Sequence, residues 1–310
     1  MRICITGGLG FIGSYIVREL IRQGYKTVIL DIRHGEIPEG AELIITDVTD
    51  FEQVLHAINE VKPDVVYHLA GTILNIARKN TYLAVRLDVL GTANVLEACI
   101  RCGVSKVLYA SSFYVYDGIS SDRQVTEQDH GDIFVMEMFG VAKLIGERLV
   151  HEYASRHGLK YVILRYGPVY GPHERCSCVI YEFIKEGLAG KPIVVWGKGK
   201  RKNQYTYVED IARGCVKALP FENETFNLIS PQRVSIREIA TILSQKYGFK
   251  VVYDLSKNEG PSMPYISPRK AINRLNWKPI ELKEGIDRTI ETYLKRKRVD
   301  KRSSQKTRRI

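Results

Sequence analysis

Residues 6–13 read TGGLGFIG, with Gly7, Gly10 and Gly13 three apart. The stretch follows the apolar run RICIT (2–6) directly. It precedes a segment in which Ile12, Ile16 and Leu20 recur every four residues, widened by Val17 and Ile21. That recurrence marks one face of an α-helix, and Gly24 closes it. Glycine at such a strand-to-helix turn permits a tight bend, lets backbone approach a pyrophosphate, and lets the helix pack close on the strand. The free N–H groups of the helix start then face phosphate oxygens; Phe11 and Ile12, between the glycines, belong to the same surface. A purely structural loop could use the same glycines, so the turn needs its context. Asp31 supplies it by ending the next apolar run, KTVIL (26–30), 18 residues past Gly13. Its carboxylate can bond both hydroxyls of an adenosine ribose and would repel a 2′-phosphate, which favours NAD over NADP. Arg33, two residues on, is the one feature that suits NADP.

Four more near-continuous apolar runs follow: ELII (42–45), DVVYHLA (64–70), KVLYAS (106–111) and KYVIL (160–164). Runs of this kind are expected of parallel strands buried on both faces. Between the third and fourth runs Phe51, Val54, Leu55 and Ile58 repeat at helical spacing, with Asp50 placed to cap the helix. Strand, helix, strand, helix predicts a doubly wound α/β sheet. After about residue 165 the texture changes: Pro and Gly cluster in YGPVYGPHE (166–174) and GKPIVVWGKGK (190–200), and Ser235–Glu238 reads as a capping box. The expected organisation is a dinucleotide-binding domain over 1–165, a smaller mixed α/β substrate lobe over 166–294, and a basic, disordered tail over 295–310.

Composition bounds the rest. Hydrophobic residues at 45% and charged residues at 26% are ordinary for a globular chain. No stretch approaches the roughly 18 apolar residues of a membrane helix, and RICIT is too short for a signal-peptide core, so a cytoplasmic protein is expected. The net charge of +11 is a property of the tail: residues 295–310 hold nine Lys or Arg against one Asp, and the body carries only +3. Such a tail could dwell weakly on nucleic acid; a solvated end is the plainer reading. The six cysteines, including CIRC at Cys99–Cys102 and CSC at Cys176–Cys178, lack a second pair or histidines at zinc spacing, so reduced thiols and no metal are expected. His68 reads as a core strand histidine.

With these residues in hand, the chain resembles the extended short-chain dehydrogenase/reductase family, the NAD-dependent nucleotide-sugar epimerases and dehydratases. The likeness runs over residues 1–294 and rests on TGGLGFIG, Asp31, TDVTD (46–50), VYHLAG (66–71), DVLGTANVLEA (88–98), YASSFYVYD (109–117), FGVAKLIGE (139–147), LRYGPVYGP (164–172) and YTYVEDIA (205–212). It implies a Rossmann-type sheet with a substrate lobe. It also implies that Asp47 and Val48 flank an adenine, that Leu69, Ala70 and Gly71 line the nicotinamide side, that Ser112 bonds a substrate hydroxyl, and that Lys143 holds the nicotinamide ribose. The plain alternative for Lys143 is a helix-surface lysine paired with Glu147. In such enzymes a tyrosinate removes a sugar hydroxyl proton while hydride passes to the nicotinamide, and hydride then returns. The implied assembly is a homodimer joined through the helices at 82–101 and 139–157, the second carrying Val141, Leu144, Ile145 and Leu149.

The departures fall on the chemistry. Phe139 stands where the resemblance requires the tyrosine. Either the tyrosine was deliberately replaced, or it was lost naturally, leaving a binder of NAD and ligand, or another group acts. Tyr114, two residues after Ser112, is the candidate, and packing of FYVY (113–116) is its plain alternative. Relatives carry an acid there if they are dehydratases, which points to an epimerase, of UDP- or dTDP-hexose 4-epimerase type. On the substrate side Pro168 replaces an expected Asn and Asn203 an expected diphosphate-binding Arg. Arg201 and the lysines beside it could restore positive potential. A related enzyme on a non-nucleotide substrate is the remaining alternative. Asp88 occupies a position where Asn is usual.

Overall fold

In the computed structural model, which describes residues 1–134 and 136–307, the six apolar runs become parallel strands. They are β1 (Arg2–Thr6), β2 (Lys26–Asp31), β3 (Ala41–Ile45), β4 (Val65–His68), β5 (Lys106–Ser112) and β6 (Lys160–Tyr166). A seventh strand, β7 (Glu224–Leu228), completes the sheet in the order β7-β6-β5-β4-β1-β2-β3. The order reverses at β1 and β4, where an α/β sheet opens a crevice at its carboxyl edge. On one face α1 (Phe11–Arg22) packs with a later helix, Val208–Ala218, around Ile16, Val17, Leu20, Ile211 and Cys215. On the other lie α2 (Phe51–Val61), α3 (Gly91–Arg101) and α4 (Met138–His157), around Val54, Ile58, Val95, Leu96 and Val150. Asp50 caps α2 as expected, accepting the Gln53 N–H at 3.2 Å. The buried strands of both layers explain why these runs carry no polar alternation.

The expected cut after residue 165 is not where the sheet ends. β7 returns from the second half to pair with β6, and the helix before it, α6 (Val208–Ala218), covers the sheet beside α1. The glutamate and threonine that open β7 gave that run no continuous apolar signature. The rest of the second half forms the smaller lobe, built on α5 (Val179–Leu188), α7 (Ile236–Tyr247) and the parallel pair Ile193–Trp196 with Val251–Asp254. Its core joins Ile180, Ile184, Val195, Tyr205, Ile239 and Leu243. Ser235 and Glu238 form the anticipated capping box at the start of α7. The last helix, α8 (Leu282–Thr307), runs into the basic segment for which a disordered tail was expected.

α4 is fastened to the sheet by a buried ion pair. Arg165 on β6 donates Nη2 to Glu147 at 2.7 Å and Nε at 2.9 Å, and Ser111 donates its hydroxyl to the same carboxylate. The second guanidinium nitrogen donates to the Tyr116 hydroxyl at 2.7 Å, which in turn donates to Asn227 on β7 at 2.8 Å. Glu147 is thus the partner of Arg165, and the alternative of a surface pair between it and Lys143 does not occur: the two residues point to different buried anchors. Both charges are desolvated, so removing one leaves the other uncompensated. Glu147→Ala is expected to cost about 3–5 kcal/mol of unfolding free energy, read from chemical denaturation; a cost below about 0.5 kcal/mol would show that the pair does not hold α4 in place.

Candidate functional site

The glycine turn is fixed by how closely it approaches β4. Gly7 has φ +71°, and a Cβ there would lie 2.9 Å from the Ala70 nitrogen. A Cβ on Gly13 would collide with the Gly7 carbonyl oxygen, so only glycine lets α1 start this close to β1. Gly10 caps α1 without a side chain, so Phe11 and Ile12 open a helix whose first N–H groups face outward. Asp31, 4% exposed at the end of β2, accepts the Leu9 N–H of the turn at 3.0 Å. Arg33 chelates the same carboxylate at 2.9 and 3.1 Å. The two residues that favoured different cofactors therefore form one ion pair, with Arg33 engaged by the carboxylate. With the Arg33 N–H at 3.2 Å the carboxylate accepts four hydrogen bonds, about its full capacity, so ribose hydroxyls would bind it in exchange for the Arg33 side chain. A cradle that no side chain could enter, an uncapped helix start and a buried carboxylate beside it fit an adenine dinucleotide.

The other residues expected at the cofactor follow β3 and β4. Leu69 and Ala70 donate their N–H groups to the Thr6 hydroxyl at 3.2 Å each. Asp47 accepts the Thr49 N–H at 2.8 Å, and the buried Val48 offers its carbonyl to Asn94 at 3.0 Å. His68 lies between Thr6 and Thr92, at 2.8 and 3.0 Å. Burial, with Lys143 adding to it, pushes its pKa down to about 3, so it stays neutral and serves the core. Gly71 leads to the chemistry: a Cβ there would strike Asp88 Oδ1 and come within 3.1 Å of Lys143 Nζ.

Lys143, on the sheet-facing side of α4, is buried, and its ammonium lies 3.1 Å from Asp88. Burial, the largest single influence, would lower its pKa; the charge of Asp88, Tyr109 and the hydrogen bond to Asp88 together outweigh it and hold the ammonium above its ordinary value. Asp88 is wholly buried and also accepts the N–H and hydroxyl of Thr72. It is carried by a π-helical turn, Val85–Leu90, that runs into α3; such turns are common at functional sites because they redirect a side chain. One turn before Lys143, the Phe139 ring lies with its centroid 5.8 Å from Nζ and edge-on to Tyr114 at 5.7 Å. Ser112, at the end of β5, accepts the Tyr114 N–H at 3.3 Å and keeps its own proton to donate. The structure thus gathers Ser112, Tyr114, Phe139 and Lys143 at one end of the sheet. Burial raises the Tyr114 hydroxyl above its usual pKa, with Arg201 and Arg78 pulling it down, so Tyr114 is not a base poised for neutral pH.

Arg201 is the link to the lobe. Its Nε is buried without a hydrogen-bond partner, as are the Nε of Arg233 and the Oδ1 of Asn203. Buried polar atoms are normally satisfied, so three such atoms in or just before the paired short strands Lys202–Asn203 and Val234–Ser235 suit a polar ligand. A cleft of about 490 Å³ opens here between Lys198, Lys200, Arg201, Lys257, Glu259 and Ser262. Pro168 offers only its carbonyl, which takes the Thr206 N–H at 2.9 Å. Sequence reading passed over Arg233, whose sole signal was its place one strand from Asn203. It also passed over Asp88 as the partner of Lys143, because 55 residues separate them and only the π-helical turn brings them together.

The family model for the NAD dependent epimerase/dehydratase family matches residues 3–228, and the chain belongs to that family. The chain is 32% identical over 299 residues to a putative UDP-glucose 4-epimerase of Methanocaldococcus jannaschii, covering 93% of this chain and 97% of that one. Its structure is similar to the Thermotoga maritima UDP-glucose 4-epimerase solved with UDP-glucose, at TM-score 0.88 and 27% identity over 96% of this chain and 99% of that one. It is also similar to a tyrosine-to-phenylalanine variant of the Bacillus cereus UDP-glucuronic acid 4-epimerase, solved with UDP-4-deoxy-4-fluoro-glucuronic acid and NAD. That similarity is at TM-score 0.83 and 28% identity over 96% and 99% of the two chains. NAD is the cofactor of the family. Among the described residues no helix is long and apolar enough to cross a membrane. Hydrogen bonds to an ionised acceptor contribute about 1.5–3 kcal/mol, so Asp31→Ala should weaken NAD binding roughly 10- to 100-fold by calorimetry. Unchanged affinity would show that the carboxylate does not hold the ribose.

Proposed function

We propose that this chain is a nucleotide-sugar 4-epimerase by construction, binding NAD and a UDP-hexose, whose proton-transfer position is occupied by Phe139. The observation that carries this is the convergence of Ser112, Phe139 and the buried Lys143 at the open end of the sheet, beside the glycine turn and Asp31. NAD, when bound, supplies a hydride acceptor that takes hydrogen from a sugar carbon and returns it. The protein's own groups do the rest. Ser112 can donate its hydroxyl proton to a sugar oxygen. Lys143 brings an ammonium donor, paired with Asp88 at 3.1 Å. Arg201 and Arg233, with their unsatisfied Nε–H groups, suit the diphosphate in place of the arginine missing at Asn203. The hexose and nucleotide follow those of the structural neighbours, which hold UDP-glucose and a UDP-glucuronic acid analogue.

What position 139 lacks is a phenolic oxygen. A positioned base contributes about 10² to 10⁴ in rate, and a phenylalanine ring contributes none of it while keeping the shape. A chain that retains the ligand site without the base also suits a binding role, and the Bacillus cereus variant, solved with NAD and a substrate analogue, favours that second reading. We further propose a homodimer formed through the helices around 82–101 and 138–157. Tyr82 (72% exposed), Leu90 (46%) and Ile145 (38%) leave apolar surface open there, while α4 meets the sheet through Ala142, Gly146 and Val150. Ile145→Asp is expected to convert the dimer to monomer by light scattering; an unchanged mass would remove this interface. Phe139→Tyr should raise conversion of UDP-glucose to its C4 epimer by at least tenfold, toward the roughly 10²–10⁴ of a positioned base. NAD and UDP-glucose binding without turnover in either form would favour a binder.

A further inference from the structure

A buried ammonium needs an anion, and around Lys143 there is one within ion-pairing distance. Its neighbours are Asp88 at 3.1 Å and the rings of Tyr109 and Phe139, with centroids at 5.5 and 5.8 Å. His68 beyond them is held neutral, and Glu147 on the same helix is taken by Arg165. Asp88 in turn has no exposed surface. Its other contacts are the Thr72 N–H and hydroxyl and the space left by Gly71, where a Cβ would collide with it. The carboxylate and ammonium are therefore a closed pair whose charges cancel.

That cancellation bears on position 139. A cation in a dry site lowers the pKa of an acid beside it, and a cation neutralised at contact distance presents only a dipole. A phenol placed where the Phe139 ring sits would meet this dipole instead of a full positive charge. Conversely, with no phenolate available from position 139, the lysine depends on Asp88 to be buried at all. We infer that Asp88 and Phe139 are a matched pair: Asp88 is a positioning residue that supplies the anion absent from position 139 and, by neutralising Lys143, keeps the site from activating a phenol. On this reading Phe139 is not an isolated change, and proton transfer returns in full only when both positions are altered. The activity arm below rests on the epimerase reading; the titration arms do not.

The test uses the full-length, NAD-loaded chain labelled with ¹³Cζ-tyrosine, the resonance of the introduced phenol being identified by difference from the parent. In Phe139→Tyr the phenol should titrate at or above the ordinary value of about 10. Adding Asp88→Asn should lower it by at least about one pH unit, a tenfold change in the ionised fraction. At neutral pH it should also raise kcat for UDP-glucose at least tenfold over Phe139→Tyr alone, with the pH profile of kcat moving by the same interval. Because Asp88→Asn leaves a buried cation unpaired, a second variant keeps the test decisive if that protein does not fold. Phe139→Tyr/Asp88→Asn/Lys143→Met buries no net charge, and its phenol should titrate within about half a unit of that in Phe139→Tyr. A phenol indifferent to Asp88→Asn, or one more than about a unit higher in the triple variant, overturns the inference. The predicted titrations without turnover of any UDP-hexose would uphold it and refute the epimerase reading instead.

Discussion

An ammonium group set among the ends of parallel strands has lost its water, and its burial is tolerable only with a carboxylate in contact. Lys143 and Asp88 meet this requirement at 3.1 Å, and the surrounding architecture is arranged around their meeting. Gly71 must lack a side chain for the carboxylate to fit; the helix ahead of α3 must widen into a π turn for Asp88 to point inward; α4 must lie close enough to the sheet to deliver the lysine. The last condition is met by Glu147, one turn beyond, whose pairing with Arg165 ties α4 to β6. Two buried ion pairs on successive turns of one helix therefore divide the work. One anchors the helix and the other sets the charge at its open end.

The glycine turn and position 139 are physically separate in this fold. The turn that suits the pyrophosphate depends on Gly7 pressing against Ala70 and on Gly13 lying under the Gly7 carbonyl, contacts between β1, β4 and α1. Position 139 belongs to α4, on the far side of β5. A ring without a hydroxyl can stand there without disturbing any contact of the glycine turn or Asp31. This separation is why the glycine turn can keep its geometry whichever aromatic ring stands at position 139.

The legibility of the sequence follows the same division. Local features were readable: the glycine turn, Asp31 at the end of its strand, the Asp50 cap and the Ser235–Glu238 capping box all act over a few residues. Features made by chain crossings were not. β7 begins with Glu224 and Thr225 and carries too short an apolar run to declare itself, although it pairs in register with β6. Lys143 with Glu147 at i+4 looks like a surface pair, yet each turns to a different buried partner, and neither Asp88 nor Arg165 is near in sequence. Asp88 was visible only as an unusual residue whose consequence needed three dimensions.

The substrate end shows how a lost side chain can be answered from elsewhere. Asn203 is buried with its Oδ1 unsatisfied, and the adjoining strand residues bring Arg201 and Arg233, each with a buried Nε lacking a partner. A guanidinium is weakly hydrated and keeps its charge even when desolvated, whereas a lysine in such a place would tend to give up its proton. Two arginines half-buried at the border of the lobe therefore remain cations whether or not a ligand is present, and an anion entering between them satisfies donors that the protein alone leaves open. The glutamate beside them, Glu259, is already committed to the backbone N–H groups of Lys198 and Arg201 at 2.7 and 2.8 Å. Its charge shapes the loop while the Nε–H groups stay available.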